Sequence, residues 1–218
     1  MIEIYGVRSD QLPNAEDLKK MISQSWVDAW QKQHSGMKKE ECVRSSLAGL
    51  LLLRCSGVEG TLTYSNRGRP YLADFKADFS ISHTDGWIFC AVSRDDSACR
   101  VGLDAESGSR LRLETVPALV KRWFSIKEQE LLGDSPDPQD FLRIWTAKEA
   151  LVKWQGEGLS KLHKADTASA SDEHGLAFFE YRVENVFLSL CASANAVVSK
   201  EIRLLSNEEI ENMNKNPL

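Results

Sequence analysis

The run Val101-Gly102-Leu103-Asp104-Ala105-Glu106 sets two carboxylates two residues apart. In an extended strand side chains alternate, so Val101, Leu103 and Ala105 share one face and Gly102, Asp104 and Glu106 the other. With the apolar set against a core, both carboxylates project together. Side by side they repel and raise each other's proton affinity unless a cation lies between them. A hard divalent ion such as Mg²⁺ takes such oxygens while keeping waters and phosphate oxygens in its octahedron. A strand running out into an acidic, solvated edge has the same pattern, so this run alone leaves both readings open.

The second such segment is FLRIWTAKEALVKW, residues 141–154. Ile144, Ala147, Leu151 and Trp154 recur at helical spacing on one side. Glu149 and Lys153, four apart, share the opposite side. As an exposed helix pair they would be worth only about 0.2–0.5 kcal/mol. Trp145, Trp154 and the alanines instead predict a helix packed on more than one side. A carboxylate and an ammonium facing a cleft from such a helix are a candidate metal ligand and a candidate phosphate contact.

The elements around these segments follow from periodicity and turn signals. MIEIYGV predicts a first strand, about 13–33 one helix, and KKEECVRSSLAGLLLLRCSG a second helix ended by Gly57. TLTY and RPYL bracket a turn at 65–68. FSIS and WIFCAVS predict a hairpin around 83–86, and RVGLDAE the strand after it. Ser107–Arg112 collects charge and turn residues, which predicts a boundary between an N-terminal half, 1–108, and a C-terminal half, 109–218. The C-terminal half reads as helices, then the strands LAFFEYRV, VFLSLCAS and AVVSKEIRLL, then a frayed tail. Helices mixed with antiparallel strands, without regular βαβ alternation, give an α+β class.

Composition narrows the function. At 218 residues, 42% hydrophobic and 27% charged, the chain can bury a genuine core. A net charge of −5 argues against a surface that coats nucleic acid. Cys42, Cys55, Cys90, Cys99 and Cys191 are odd in number and without a CxxC pair, which predicts reduced thiols in a cytoplasmic protein. The N-terminus lacks the apolar core of a leader, and the longest apolar stretch, near Leu47–Leu53, is too short to span a membrane. No GxxxxGK[ST] loop is present.

Taken together, the motifs resemble the 4′-phosphopantetheinyl transferases, specifically the large single-chain type that serves peptide and polyketide synthetases. The family's (I/V)G-x-D-x-E strand corresponds to Val101–Glu106, and its (F/W)-(S/T/C)-x-K-E-(A/S)-x-x-K helix to Trp145–Lys153. Arg44-Ser45-Ser46-Leu47, Gly68-Arg69-Pro70, Ile81-Ser82-His83, Trp123-Phe124-Ser125 with Glu128, and Gly156-Glu157-Gly158-Leu159-Ser160 match in the family's order. The resemblance runs from about Lys38 to Ser160.

It implies two similar α/β-sandwich halves related by a pseudo-twofold, with the active site in the cleft between them, working as a monomer. It implies transfer of 4′-phosphopantetheine from coenzyme A to a serine of an apo acyl or peptidyl carrier protein, with Mg²⁺, releasing 3′,5′-ADP. Asp104, Glu106 and Glu149 would hold the metal, Lys153 would contact the phosphates, and Glu149 is the natural general base. Arg44, Ser45, Arg69, Ser82 and His83 would bind coenzyme A; Arg69 stands where many relatives have lysine. Three alternatives remain at this point: another carrier client, a paralogue that binds without transferring, and an unrelated Mg²⁺-dependent nucleotide-binding protein.

Overall fold

The computed structural model describes residues 1–74, 77–94 and 100–215; Cys99 lies outside them. In chain order, β1 (Ile2–Arg8) is followed by α1 (Ala15–Lys20), α2 (Gln24–Gln33) and α3 (Glu40–Cys55). Then come β2 (Leu62–Tyr64), β3 (Pro70–Leu72), β4 (Asp78–Thr84), β5 (Trp87–Ser93) and β6 (Gly102–Ser107). Next are α4 (Val116–Trp123), α5 (Ile126–Leu132), α6 (Pro138–Gln155) and α7 (Thr167–His174). The chain ends with β7 (Leu176–Val183), β8 (Val186–Ser193), β9 (Val198–Leu204) and α8 (Asn207–Lys215). This is the α+β class that the strand and helix periods predict. Cys42, Cys55, Cys90 and Cys191 are free thiols, and no helix among the described residues is long and apolar enough to cross a membrane.

The chain divides into two compact units, Met1–Cys99 with Val197–Leu218, and Arg100–Ala196. A cut at 108 assigns β6 to the N-terminal half, whereas β6 lies in the second unit. It is paired along its whole length with β8, from Gly102 opposite Cys191 to Ser107 opposite Val186. β9, expected with the C-terminal half, pairs in parallel with β1 in the first unit.

The first unit is a four-stranded sheet in the order β4-β5-β1-β9, with β2 and β3 as a separate hairpin. Its core gathers Leu47 and Leu50 to Leu53 of α3 with Tyr5 and Val7 of β1 and Ile88, Cys90 and Val92 of β5. The helix expected over 13–33 is two helices. Met21 and Ile22 leave the α pattern by donating to the Leu18 and Lys19 carbonyls, three residues back, and both side chains go into the core. The expected frayed tail is also ordered through residue 215: α8 buries Ile210 and packs Met213 against the same core.

The second unit is a three-stranded antiparallel sheet in the order β6-β8-β7, crossed by α6. α6 begins at an Asp137 cap, whose side chain accepts from the Gln139 N–H, with Pro138 in the first turn. It ends at Gly156, whose φ of 72° is left-handed backbone that suits glycine. Between these stops it buries Phe141, Leu142, Ile144, Thr146, Ala147, Lys148, Ala150, Leu151 and Val152. That is more than one face, as Trp145, Trp154 and the alanines predict. α7 lies where the sequence predicts no element: its run TASASDEH mixes small and polar residues with no apolar period, so tertiary contact, not pattern, supports it.

Candidate functional site

The site is built from β6 and α6 of the second unit, and their separation is set at Gly102. A Cβ there would stand 2.0 Å from the Ala150 carbonyl oxygen and 2.5 Å from the Trp154 nitrogen, both backbone atoms of α6. Only a hydrogen fits. Gly102→Ala is therefore expected to push strand and helix apart and to cost about 1–3 kcal/mol of stability, as overpacking does. Urea unfolding measures the cost, and an unchanged midpoint would refute the close approach as a constraint.

Because Gly102 faces α6, strand alternation turns Asp104 and Glu106 the same way. Asp104, Glu106 and Glu149 can each offer one oxygen such that all three lie within 4.8 Å of one another. Asp104 is 3% exposed. Lys153, one turn beyond Glu149, closes onto this group, its Nζ 2.7 Å from Asp104 Oδ1. The structure thus brings together all four residues picked out on the strand and helix.

The electrostatics show what the cluster lacks. Burial pushes the Glu149 carboxyl up to about 8, reinforced by the negative charges of Asp104 and Glu106. The Lys153 ammonium and a hydrogen bond from Trp145 pull the other way and do not offset it. At Glu149, burial and two neighbouring carboxylates outweigh the lysine, a local deficit of positive charge. An all-oxygen donor set on two rigid elements suits a hard cation such as Mg²⁺, so the residues fit the metal that the motif implies.

A second charged group on α6 has a different use. Lys148, the residue before Glu149, and Glu128 of α5 have fully buried side chains, 0% exposed each, with Nζ and Oε2 2.8 Å apart. Glu128 also accepts from the Ser125 N–H, completing a capping box on α5. Its Oε1 takes the Thr167 N–H at 2.9 Å and the Thr167 hydroxyl at 2.7 Å. Lys148 also donates to the Ala165 carbonyl. One buried pair therefore ties α5, α6 and the start of α7 together. The sequence identifies Glu128 and Lys148 as motif positions and gives no sign of their pairing. The only local signal is Ser125-x-x-Glu128, which marks a helix start. Trp145 likewise reads as packing alone, yet its indole reaches Glu149 while stacking on Phe124 and Phe141.

The other candidates lie in the first unit. Arg44 donates to three backbone carbonyls, Pro13 at 3.0 Å, Ser9 at 3.0 Å and Leu12 at 2.6 Å, and so braces the segment before α1. With buried Ser45 it lines a cleft that also presents Asp10, Glu40 and Glu41. The Arg69 guanidinium pairs with Asp78 at 2.7 Å. On β4, Ser82 is buried and His83 is exposed.

Comparison with known proteins points in one direction. Residues 100–198 match the family model described as the 4′-phosphopantetheinyl transferase superfamily. The chain is 26% identical to the 4′-phosphopantetheinyl transferase Sfp of Bacillus subtilis over 231 aligned residues, spanning 96% of this chain and 100% of that protein. It is 35% identical over 139 residues to the 4′-phosphopantetheinyl transferase HetI of a Nostoc species, spanning 60% of this chain and 55% of that one. A further Bacillus subtilis 4′-phosphopantetheinyl transferase is 29% identical, spanning 73% of this chain and 72% of its own length. The matched segment contains β6, α5 and α6, and hence every residue of the acidic group and of the buried pair.

Proposed function

We propose that this chain is a 4′-phosphopantetheinyl transferase that moves 4′-phosphopantetheine from coenzyme A to a serine of an apo acyl or peptidyl carrier protein, a reading supported by the match of residues 100–198 to that superfamily and by the similarity to Sfp along 96% of the chain. The observation that carries this reading is the convergence of Asp104, Glu106 and Glu149 within 4.8 Å on the two motif segments. Asp104, Glu106 and Glu149 would hold Mg²⁺. When bound, the metal supplies charge neutralisation at the pyrophosphate of coenzyme A.

The chain's own groups do the rest. Lys153, 2.7 Å from Asp104, turns its ammonium to a phosphate oxygen and adds positive charge where negative charge develops. Each carboxylate gives one oxygen to the cluster and keeps a second. On Glu149 the second oxygen takes the proton of the carrier serine. The serine oxygen bonds to the β-phosphorus, the bond from that phosphorus to the bridging oxygen breaks, and 3′,5′-ADP leaves. The indole of Trp145 fixes the Glu149 side chain for this. His83, Ser82, Arg69, Arg44 and Ser45 are the groups assigned to coenzyme A. For Arg69 and Arg44 that role requires exchanging the present partners, Asp78 and the carbonyls before α1, for phosphate.

The reading is tested by incubating the protein with coenzyme A, Mg²⁺ and an apo carrier domain and weighing the carrier. A gain of one phosphopantetheine, lost when EDTA replaces Mg²⁺, is the expected result. Coenzyme A binding without mass gain across carriers of fatty-acid, polyketide and peptide type would make the chain a binder only. No binding of coenzyme A would overturn the proposal.

A further inference from the structure

Ser189 of β8 stands directly opposite Asp104 of β6. Cross-strand partners in an antiparallel sheet share a face, with Cβ atoms about 4.5–5.5 Å apart. That face is the one turned to α6, as the approach of Gly102 to Ala150 and the bond from Lys153 to Asp104 both show. Ser189 is 0% exposed, and its hydroxyl finds no hydrogen-bond partner among the described residues. Burying an unbonded hydroxyl is unfavourable. The next residue of β8 on this face, Cys191, is pure packing against α6, and an alanine at 189 would serve packing equally well. What the hydroxyl adds is one rotatable donor, a side chain's length from the carboxylate of Asp104.

Resting on the cation site proposed above, we infer that Ser189 is a positioning residue for Asp104, its hydroxyl donating to that carboxylate in the cation-loaded protein. The Lys153 ammonium donates to Asp104 Oδ1 at 2.7 Å and helps to orient that carboxylate. With a divalent cation among the three carboxylates, the ammonium is repelled and turns outward, to solvent or to a phosphate when one is bound. Buried Asp104 then loses that donor. Ser189, already desolvated and uncommitted, supplies the replacement by a change of χ1. Such donors behind a metal ligand fix its orientation, and their removal costs about 10- to 100-fold in metal affinity.

Ser189→Ala tests this because it deletes one buried oxygen and leaves the packing intact. Mn²⁺, a spin-active stand-in for Mg²⁺, is titrated into wild type and variant without coenzyme A and followed by electron paramagnetic resonance. Metal-free melting curves are recorded in parallel. The expected result is an affinity about tenfold weaker, with a metal-free melting temperature equal to or above that of wild type. An affinity within about twofold of wild type would overturn the inference while leaving the cation site standing. So would a weaker affinity accompanied by a lowered metal-free melting temperature, since that marks a structural defect. Failure of the wild type itself to bind Mn²⁺ would remove the cation site, and the role of Ser189 with it.

Discussion

Glu149→Gln is expected to cut phosphopantetheine transfer by about 10³-fold or more and, in the same protein, to stabilise the metal-free fold at alkaline pH. Both effects come from one environment. Glu149 is half-buried beside two other carboxylates, and its carboxyl is pushed up to about 8 from an ordinary 4.5. Glutamine keeps the volume and removes both a ligand oxygen and a proton acceptor, which accounts for the lost rate. The stability effect follows from linkage: a group that holds its proton more tightly when folded stabilises the fold below its unfolded pKa, and that contribution is lost as pH rises through the folded value. In EDTA, wild-type stability should therefore decline from about pH 5 to about pH 8, by a few kcal/mol at most given the coupling to its neighbours. Glu149→Gln should lack that decline. Adding Mg²⁺ at pH 8 should raise the melting temperature of wild type and leave the variant unmoved. Urea unfolding at pH 5 and pH 8 reads the pH effect, thermal melting the metal effect, and carrier mass the lost transfer. A wild-type curve that is flat with pH, or substantial turnover in the variant, would remove Glu149 from its double role as ligand and base.

The largest effect on folding is expected at Lys148→Met. The variant leaves Glu128 fully buried, still held by Ser125 and Thr167 but without its counter-charge. Breaking a buried pair from one side costs about 3–5 kcal/mol, enough to unfold many domains of this size. The double variant Glu128→Leu with Lys148→Met removes both charges and should regain most of that loss, because a well-packed apolar pair is often as stable as the ion pair it replaces. The Thr167 N–H and hydroxyl lose their acceptor in the process, so recovery should stop short of wild type. Chemical denaturation of the single and double variants gives the coupling directly. If the double variant is no more stable than Lys148→Met, the loss comes from packing at 148 and not from the stranded charge.

Lys148 and Glu149, adjacent in sequence, show how far a local pattern reaches. Period alone places Glu149 and Lys153 on one side of a helix, and the strand period of two puts Asp104 and Glu106 on a shared face; the structure joins all four. Each of those placements depends on a short-range repeat, and a repeat is a property of consecutive residues. Lys148 is equally visible in the motif, yet nothing local distinguishes a buried lysine from a solvated one. Its partner lies twenty residues away on another helix, and only the docking of α5 on α6 makes the pair. The same holds for β9, whose alternating residues predict a strand but not that it joins β1 across nearly the whole chain, and for α7, which has no apolar period at all.

The amino-acid sequence by itself therefore determined the α+β class, the acidic strand, the Glu–Lys helix and the family they resemble, because spacing along the backbone dictates which side chains share a face. Only the tertiary structure decided that Gly102 brings strand against helix, that Trp145 reaches Glu149, that Ser189 lies buried opposite Asp104, and that residues 197–215 belong with the first unit. Each of these depends on contacts between residues distant in sequence, where burial and close approach, and not periodicity, set the energy.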